Sequence, residues 1–202
     1  IVRAFGKESY ESFVELNFIE NPEYKAVFEG GLDVDSLLLN LSLYVPAAKF
    51  IPGKTLILLD EIQECAEAVT SLKFWTQDQR YDVVATGSGL GMNYRQTSSY
   101  PVGNVEYMNM YALDFEEFLW ANNVSQDVIE KVRDCFQKRL PVPHAIHMKL
   151  LDYLRRYMVI GGMPEVVKEF IETDDYRMVR VKQAEIINNY TADMAKYATK
   201  NE

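Results

Sequence analysis

The sequence predicts an α/β protein in which a parallel sheet covered by helices is followed by an all-helical segment. The apolar run at 56–59 is typical of a strand that is buried on both faces. Strand-like and helix-like stretches alternate before residue 112, as in parallel sheets. From Asp114 onward the apolar residues recur at helical spacing. We therefore expect an α/β core at residues 1–112 and a helical lid or linker at residues 113–202.

The elements of the core follow from local patterns. Apolar residues at helical spacing predict helices, alternation or short apolar runs predict strands, and Asp33 is a good N-cap for the helix that follows it. The predicted elements are a helix at 1–10, a strand at 13–18, helical stretches at 22–28 and 34–45, a strand at 54–60, a helix at 66–79, and strands at 81–85 and 104–111.

Five helices are predicted after residue 113. Ser125 and Asp174 are candidate N-caps, and Pro143 and Pro164 suit the first turn of a helix. The pair Gly161-Gly162 predicts a break between two helices. The predicted helices are 114–121, 125–138, 143–159, 164–172 and 174–199.

Composition excludes several classes of protein. Of the 202 residues, 48% are hydrophobic and 12% aromatic, which argues against disorder, and no apolar run approaches the length of a membrane-spanning helix. The net charge of −9 falls within residues 1–148, and no basic run indicates nucleic-acid binding. Two distant cysteines fit a reducing compartment, so we expect a cytoplasmic protein without a membrane association.

The most informative segment is the apolar strand that ends in Asp60-Glu61. Ligands of open α/β sheets bind beyond the carboxyl ends of the strands, where these acids would emerge. Asp60 is then a candidate for holding Mg²⁺, and Glu61 a candidate base for a water that attacks a γ-phosphate. The alternative is a strand end with two solvated acids.

Small hydroxyl residues follow the next predicted strand. Thr86 and Ser88 would lie at the same edge of the sheet, where a hydroxyl can hydrogen-bond the attacking water or a phosphate oxygen. Gly87, Gly89 and Gly91 would let the backbone approach a ligand, although a flexible loop is the alternative. Acids after one strand and hydroxyls after the next are the layout of a P-loop NTPase core.

The phosphate-binding motif of that core does not occur in the 202 residues. No G-x-x-x-x-G-K-[ST] pattern is present, and neither Gly6-Lys7 nor Gly53-Lys54 follows a strand and opens a helix.

The chain resembles the bacterial and archaeal AAA-type ATPases that carry a C-terminal domain of unknown function, often described as nuclease-like. The matching strings run from near residue 1 to near residue 200. They are FVELNFIEN at 13–21, TLILLDEIQE at 55–64, LKF at 72–74, TGSGLG at 86–91, YPVGNV at 100–105, MYALDFEEFL at 110–119, YMVIGGMPEVV at 157–167 and YTADMAKY at 190–197.

The resemblance implies that Asp60 and Glu61 are Walker B acids and that Thr86 and Ser88 belong to the sensor region. It also implies that the P-loop lies immediately before Ile1, and that a winged-helix segment and the further domain follow Glu202. The strand before the P-loop would then lie in the middle of the sheet. Without it, we expect two neighbouring strands to be left unpaired, unless upstream residues or another segment fill the gap.

Two functions remain open. The first is an ATPase that couples the binding and hydrolysis of Mg²⁺-ATP to a conformational change. Arg95 is then a candidate arginine finger toward the phosphate of a neighbouring subunit, against the alternative of a solvated loop residue. The second is a non-catalytic module for nucleotide sensing or protein interaction. The expected partners are a nucleotide and either a second copy of the chain or another protein.

Overall fold

The computed structural model describes residues 1–87 and 103–198, and the chain divides into two compact units, 1–108 and 109–202. Strands and helices alternate in the first unit, whereas the described part of the second unit contains helices only. The chain is thus a mixed α/β protein with a small parallel sheet, consistent with the predicted core. The assignment of a core role to 1–112 and a lid role to 113–202 stays a prediction.

A three-stranded parallel sheet organises the first unit. Its strands are β1 (Ser12–Asn17), β2 (Thr55–Asp60) and β3 (Asp82–Ala85), in the spatial order β1-β2-β3. Asn17 lies opposite Asp60, and Leu59 lies opposite Ala85. Because all three strands run the same way, their carboxyl ends meet at one edge of the sheet.

The expectation that the two strands flanking a missing central strand would be left unpaired stays a prediction, and the described strands themselves pair as one sheet without a gap. β2 and β3 pair directly, from Leu56 opposite Asp82 to Leu59 opposite Ala85. Parallel strands need a crossover of a dozen or more residues, and residues 61–81 supply one that contains a helix. The backbone groups of the two strands therefore satisfy each other.

Helices cover both faces of the sheet. The first unit contains α1 (Val2–Ser9), a 3-10 helix (Pro22–Phe28), α2 (Val34–Tyr44) and α3 (Ala66–Asp78). One face of β1 and β2 packs into a buried core with α2 and α3. The main residues of this core are Val14, Leu16, Phe28, Leu37, Leu41, Ile57, Leu59, Val69, Leu72 and Trp75.

Helix α1 approaches the opposite face of the sheet closely at Gly6. A Cβ atom on this buried glycine would lie 2.8 Å from Phe13 Cε2 and 3.1 Å from Leu56 Cδ2. Real Cβ atoms essentially never come within 3.0 Å of another heavy atom, so α1 can pack this closely on β1 and β2 only with a glycine at position 6.

The predicted strand at 104–111 is wrong, because this segment forms neither strand nor helix. Most of its apolar side chains face solvent, with Met108 88% and Tyr111 80% exposed. An alternating pattern indicates a strand only where one face is buried against a core and a neighbouring strand is available. Within the described residues, no strand pairs with this segment.

The second unit contains five described helices around a small core. Helix α4 begins with a capping box, in which Asp114 accepts a hydrogen bond from Glu117 N at 2.8 Å and Glu117 accepts one from Asp114 N at 2.9 Å. Phe118, Ile160, Val167 and Phe170 form the centre of the core. The helices are α4 (Phe115–Ala121), α5 (Gln126–Gln137), α6 (His144–Ile160), α7 (Pro164–Thr173) and α8 (Tyr176–Ala198).

The ends of these helices match the predicted signals in part. Gly161, at φ 78°, ends α6, and Pro164 begins α7. Ser125 precedes α5 without a side-chain cap hydrogen bond. The prediction that Asp174 is an N-cap is wrong, because Asp174 is left-handed and ends α7, whereas Asp175 accepts a hydrogen bond from Arg177 N at 2.8 Å.

Within residues 1–87 and 103–198, no helix is long and apolar enough to cross a membrane.

Protonation of the Asp33 carboxylate should make the first unit less stable in acid. Its carboxylate accepts a hydrogen bond from Ser36 N at 2.9 Å, and the Ser36 hydrogen bonds hold the pKa of Asp33 below its usual value. The stabilisation is therefore present above the unfolded-state pKa of about 3.9 and is lost as the pH falls through the lower folded-state pKa. Thermal unfolding at pH 2–5 checks this.

The matched variant is Asp33→Asn, since asparagine also caps helices but does not ionise in this range. We expect its melting temperature to fall less than that of the wild type between pH 5 and pH 2. Identical pH dependence of the two proteins would contradict the role of the ionised cap.

Candidate functional site

The carboxyl ends of the three strands bring polar side chains together at one edge of the sheet. This group, which we name the carboxyl edge, comprises Asn17 from β1, Asp60 and Glu61 from β2, Gln63 from the turn after β2, and Thr86 after β3. Backbone hydrogen bonds fix it, because Thr86 N donates to Leu59 O at 2.9 Å and Ile62 N donates to Thr86 O at 3.0 Å.

Both oxygens of the Asp60 carboxylate have partners. Asn17 Nδ2 donates to Oδ2 at 2.9 Å, and the Thr86 hydroxyl donates to Oδ1. The Asn17 amide is itself held, because its Oδ1 accepts hydrogen bonds from the backbone N–H groups of Ile19 at 3.0 Å and Glu20 at 2.9 Å. Asp60 is therefore fixed in position by both neighbouring strands.

A cation lies beside this carboxylate. Arg3 of α1 forms two hydrogen bonds from Nε to the carboxylate of Glu15, at 2.8 and 2.9 Å, and its guanidinium lies 3.9 Å from Asp60 Oδ2. The hydrogen bond with Glu15 and then its charge raise the pKa of Arg3. Because Arg3 is itself exposed, this ion pair is screened and contributes little to stability.

Glu61 stands where β2 turns into a short 3-10 helix, Ile62–Glu64. Its backbone is left-handed, at φ 56° and ψ 44°, which is uncommon for a residue other than glycine. Its carboxylate accepts a hydrogen bond from Gln63 Nε2 at 2.6 Å. The side chain is partly exposed at the sheet edge and so remains accessible to a ligand.

The carboxyl edge fits magnesium held through one carboxylate. No group of three His, Cys, Asp or Glu side chains able to enclose a metal ion occurs among the described residues. Mg²⁺ does not need such a cage, because it keeps several waters and binds one or two carboxylates together with substrate phosphates. The Asp60 side chain is 25% exposed, and each of its oxygens has a second lone pair.

Of the residues that the sequence singles out, Asp60, Glu61 and Thr86 lie at the carboxyl edge. Ser88 and Arg95 lie outside the described residues. Sequence reasoning does not identify Asn17 or Gln63 as members of the site. Asn17 could have been found from the sequence, because it is a polar residue at the end of an apolar strand, as Asp60 is. No sequence pattern marks Gln63 as a member of the site.

Comparison with known proteins identifies a family. A family model described as an AAA domain matches residues 1–119, which is more than half of the chain and includes the whole carboxyl edge. A second model, described as a domain of unknown function (DUF8612), matches residues 151–202. No curated protein and no solved structure shows a significant match. The chain therefore belongs to the AAA domain family.

Proposed function

We propose that this chain is the core of an AAA-type ATPase, in which the binding and hydrolysis of Mg²⁺-ATP are coupled to a conformational change. The observation that carries the proposal is the meeting of Asp60, Glu61 and Thr86 at the carboxyl ends of adjacent parallel strands. Membership of the AAA domain family supports it.

Asp60 would hold the magnesium ion, directly or through a water molecule. A magnesium ion held there would supply positive charge that offsets the negative charge developing on the phosphate oxygens. Asn17 and Thr86 prepare Asp60 for this task, because their hydrogen bonds fix both carboxylate oxygens in position.

Glu61 would act as the general base. Its carboxylate would orient a water molecule and take the proton that this water loses. The water oxygen then bonds to the γ-phosphorus, and the bond from that phosphorus to the bridging oxygen breaks to release ADP. One carboxylate oxygen accepts the hydrogen bond from Gln63, so the other is left for the water.

The remaining assignments extend the proposal beyond the described edge. Ser88 would hydrogen-bond the attacking water or a phosphate oxygen, and Arg95 would reach the nucleotide of a neighbouring copy of the chain. Residues 113–202 would act as the lid that responds to the nucleotide.

The variant Asp60→Asn tests the role of the carboxylate. In the full-length protein we expect it to weaken Mg²⁺-dependent ATP binding and to lower the rate of hydrolysis, each by more than about tenfold. Loss of a residue that only hydrogen-bonds a metal ligand already costs roughly tenfold, and loss of the ligand itself should cost more. Nucleotide titrations with Mg²⁺ and with EDTA measure the first effect, and phosphate release measures the second.

The matched control is Asp82→Asn, the same change at the amino end of β3. Asp82 accepts a hydrogen bond from the Tyr10 hydroxyl at 2.7 Å, and asparagine can still accept it. Wild-type behaviour of both variants would refute the proposed magnesium site.

A second candidate function is a non-catalytic nucleotide-sensing module. The observation that favours it is that protein groups already satisfy both oxygens of Asp60 and one oxygen of Glu61. ATP binding without phosphate release by the wild-type protein would select this function over the ATPase.

A further inference from the structure

We propose that Gln63 is a positioning residue that holds the Glu61 carboxylate in place, an inference that rests on the proposed function of Glu61 in ATP hydrolysis. The two side chains meet through one short hydrogen bond, 2.6 Å from Gln63 Nε2 to Glu61 Oε2. Glu61 determines which end of the Gln63 amide faces it. In the flipped orientation the amide oxygen would face a carboxylate oxygen, and two acceptors cannot hydrogen-bond each other.

The Glu61 carboxylate needs a hydrogen-bond donor to fix it, because the backbone of Glu61 is held whereas its side chain can rotate. The left-handed turn is held by hydrogen bonds from Ile62 N to Thr86 O and from Glu64 N to Glu61 O, both at 3.0 Å. The Glu61 side chain beyond this turn has three rotatable bonds. The Gln63 amide is the hydrogen-bond donor that the described structure places on its carboxylate.

The other end of the Gln63 amide lies toward Gly87. Gln63 Oε1 is buried and has no hydrogen-bond partner among the described residues. A buried acceptor without a donor costs free energy. The described structure thus holds the amide in one orientation, with Nε2 on the Glu61 carboxylate and Oε1 buried on the side of Gly87.

The Gln63 side chain can adopt this position only because residue 87 is a glycine. A Cβ atom at position 87 would collide with Gln63 Oε1 and would lie 3.2 Å from Gln63 Cδ, whereas the next nearest atom, Ile62 N, is 3.6 Å away. Of the described atoms, those of Gln63 therefore lie closest to the space at Gly87. A methyl group there would displace Gln63 and leave the surrounding backbone in ordinary contact.

The test uses Gln63→Met in the full-length protein, because methionine keeps the length of the side chain but cannot donate. The first readout needs no nucleotide. We measure the unfolding equilibrium of the wild type, Gln63→Met, Glu61→Ala and the double variant. Each single variant should raise the unfolding equilibrium constant by some factor. If the hydrogen bond exists, the factor for the double variant should be about fivefold smaller than the product of the two single-variant factors.

The second readout is steady-state ATP hydrolysis. We expect Gln63→Met to lower kcat by about tenfold and to leave KM within twofold, because a misplaced base affects the chemical step and not nucleotide binding. The control is Gln77→Met, which makes the same change at an exposed glutamine of α3 and should leave both constants unchanged.

Gly87→Ala provides a second, independent variant. It should reproduce the kcat loss of Gln63→Met. Combined with Gln63→Ala, which removes the atoms that collide, it should cause no further loss. An additional loss in that combination would show that Gly87 acts on something other than Gln63.

The results separate this inference from the proposed function. Absence of coupling in the unfolding equilibrium, or an unchanged kcat in Gln63→Met, would overturn the positioning role even in an active ATPase. A wild-type protein that does not hydrolyse ATP contradicts the proposed function instead. In that case the double-variant cycle still decides whether Gln63 holds Glu61.

Discussion

Replacement of Glu61 by glutamine should abolish most ATP hydrolysis in the full-length protein and leave nucleotide binding intact. A general base contributes about 10²- to 10⁴-fold to the rate, and glutamine cannot take the proton of the attacking water. The shape of the site should be kept, because the new amide oxygen can accept the hydrogen bond that Gln63 Nε2 now donates to Glu61. Phosphate release and the affinity for ATP, measured in parallel, check this result.

Glu64→Gln is the matched control for that experiment. Glu64 lies in the same short turn, Ile62–Glu64, and pairs with Lys25 at 3.6 Å, away from Asp60. It should hydrolyse ATP at the wild-type rate. Equal turnover by Glu61→Gln and the wild type would remove Glu61 from the chemistry, whereas loss of ATP binding in Glu61→Gln would point to a structural role.

Truncation of Leu59 should cause the largest loss of stability. Leu59 is fully buried in the central strand and packs in the core between the sheet and the helices α2 and α3. Replacing it with alanine removes this packing and leaves a cavity, which costs about 2–5 kcal/mol in the free energy of unfolding. Urea denaturation followed by circular dichroism measures the difference.

Leu39→Ala makes the same change at a leucine of α2 that is 66% exposed. Because little apolar surface is lost there, we expect a change within about 0.5 kcal/mol. Comparable losses in the two variants would mean that β2 is not the buried centre of the sheet. Since Asp60 follows Leu59 directly, partial disorder of this strand should also weaken the carboxyl edge.

The central strand could be predicted because its signal is local. Four consecutive apolar residues, 56–59, bounded by a turn and two acids, are typical of a strand that helices cover on both faces. The same holds for the predicted helix at 114–121, whose start depends on the nearby residues Asp114 and Glu117 that form its capping box. Signals of this kind depend on neighbours within one turn of the chain.

The errors arise where structure depends on distant partners. The alternation at 104–111 resembles that of a strand, but alternation cannot show whether a core or a neighbouring strand is available.

The site shows the same division. Adjacent acids at the end of a buried strand predict Asp60 and Glu61 as members. The part of Gln63 could not be predicted, because it depends on a left-handed residue at position 61 and on the space left by Gly87, more than twenty residues later.

The order of the strands in the sheet has a consequence for how the chain reaches its native state. β1 must find β2 across residues 18–54, and β2 must find β3 across residues 61–81, so each pairing must first close a long loop. In the second unit, by contrast, α7 packs on α8, its immediate neighbour in the chain. Folding slows as contacts become less local, so the sheet unit should be the slower to form. Because it lies first in the chain, the ribosome releases it first, and its slow search can proceed while the fast helical unit is still being synthesised.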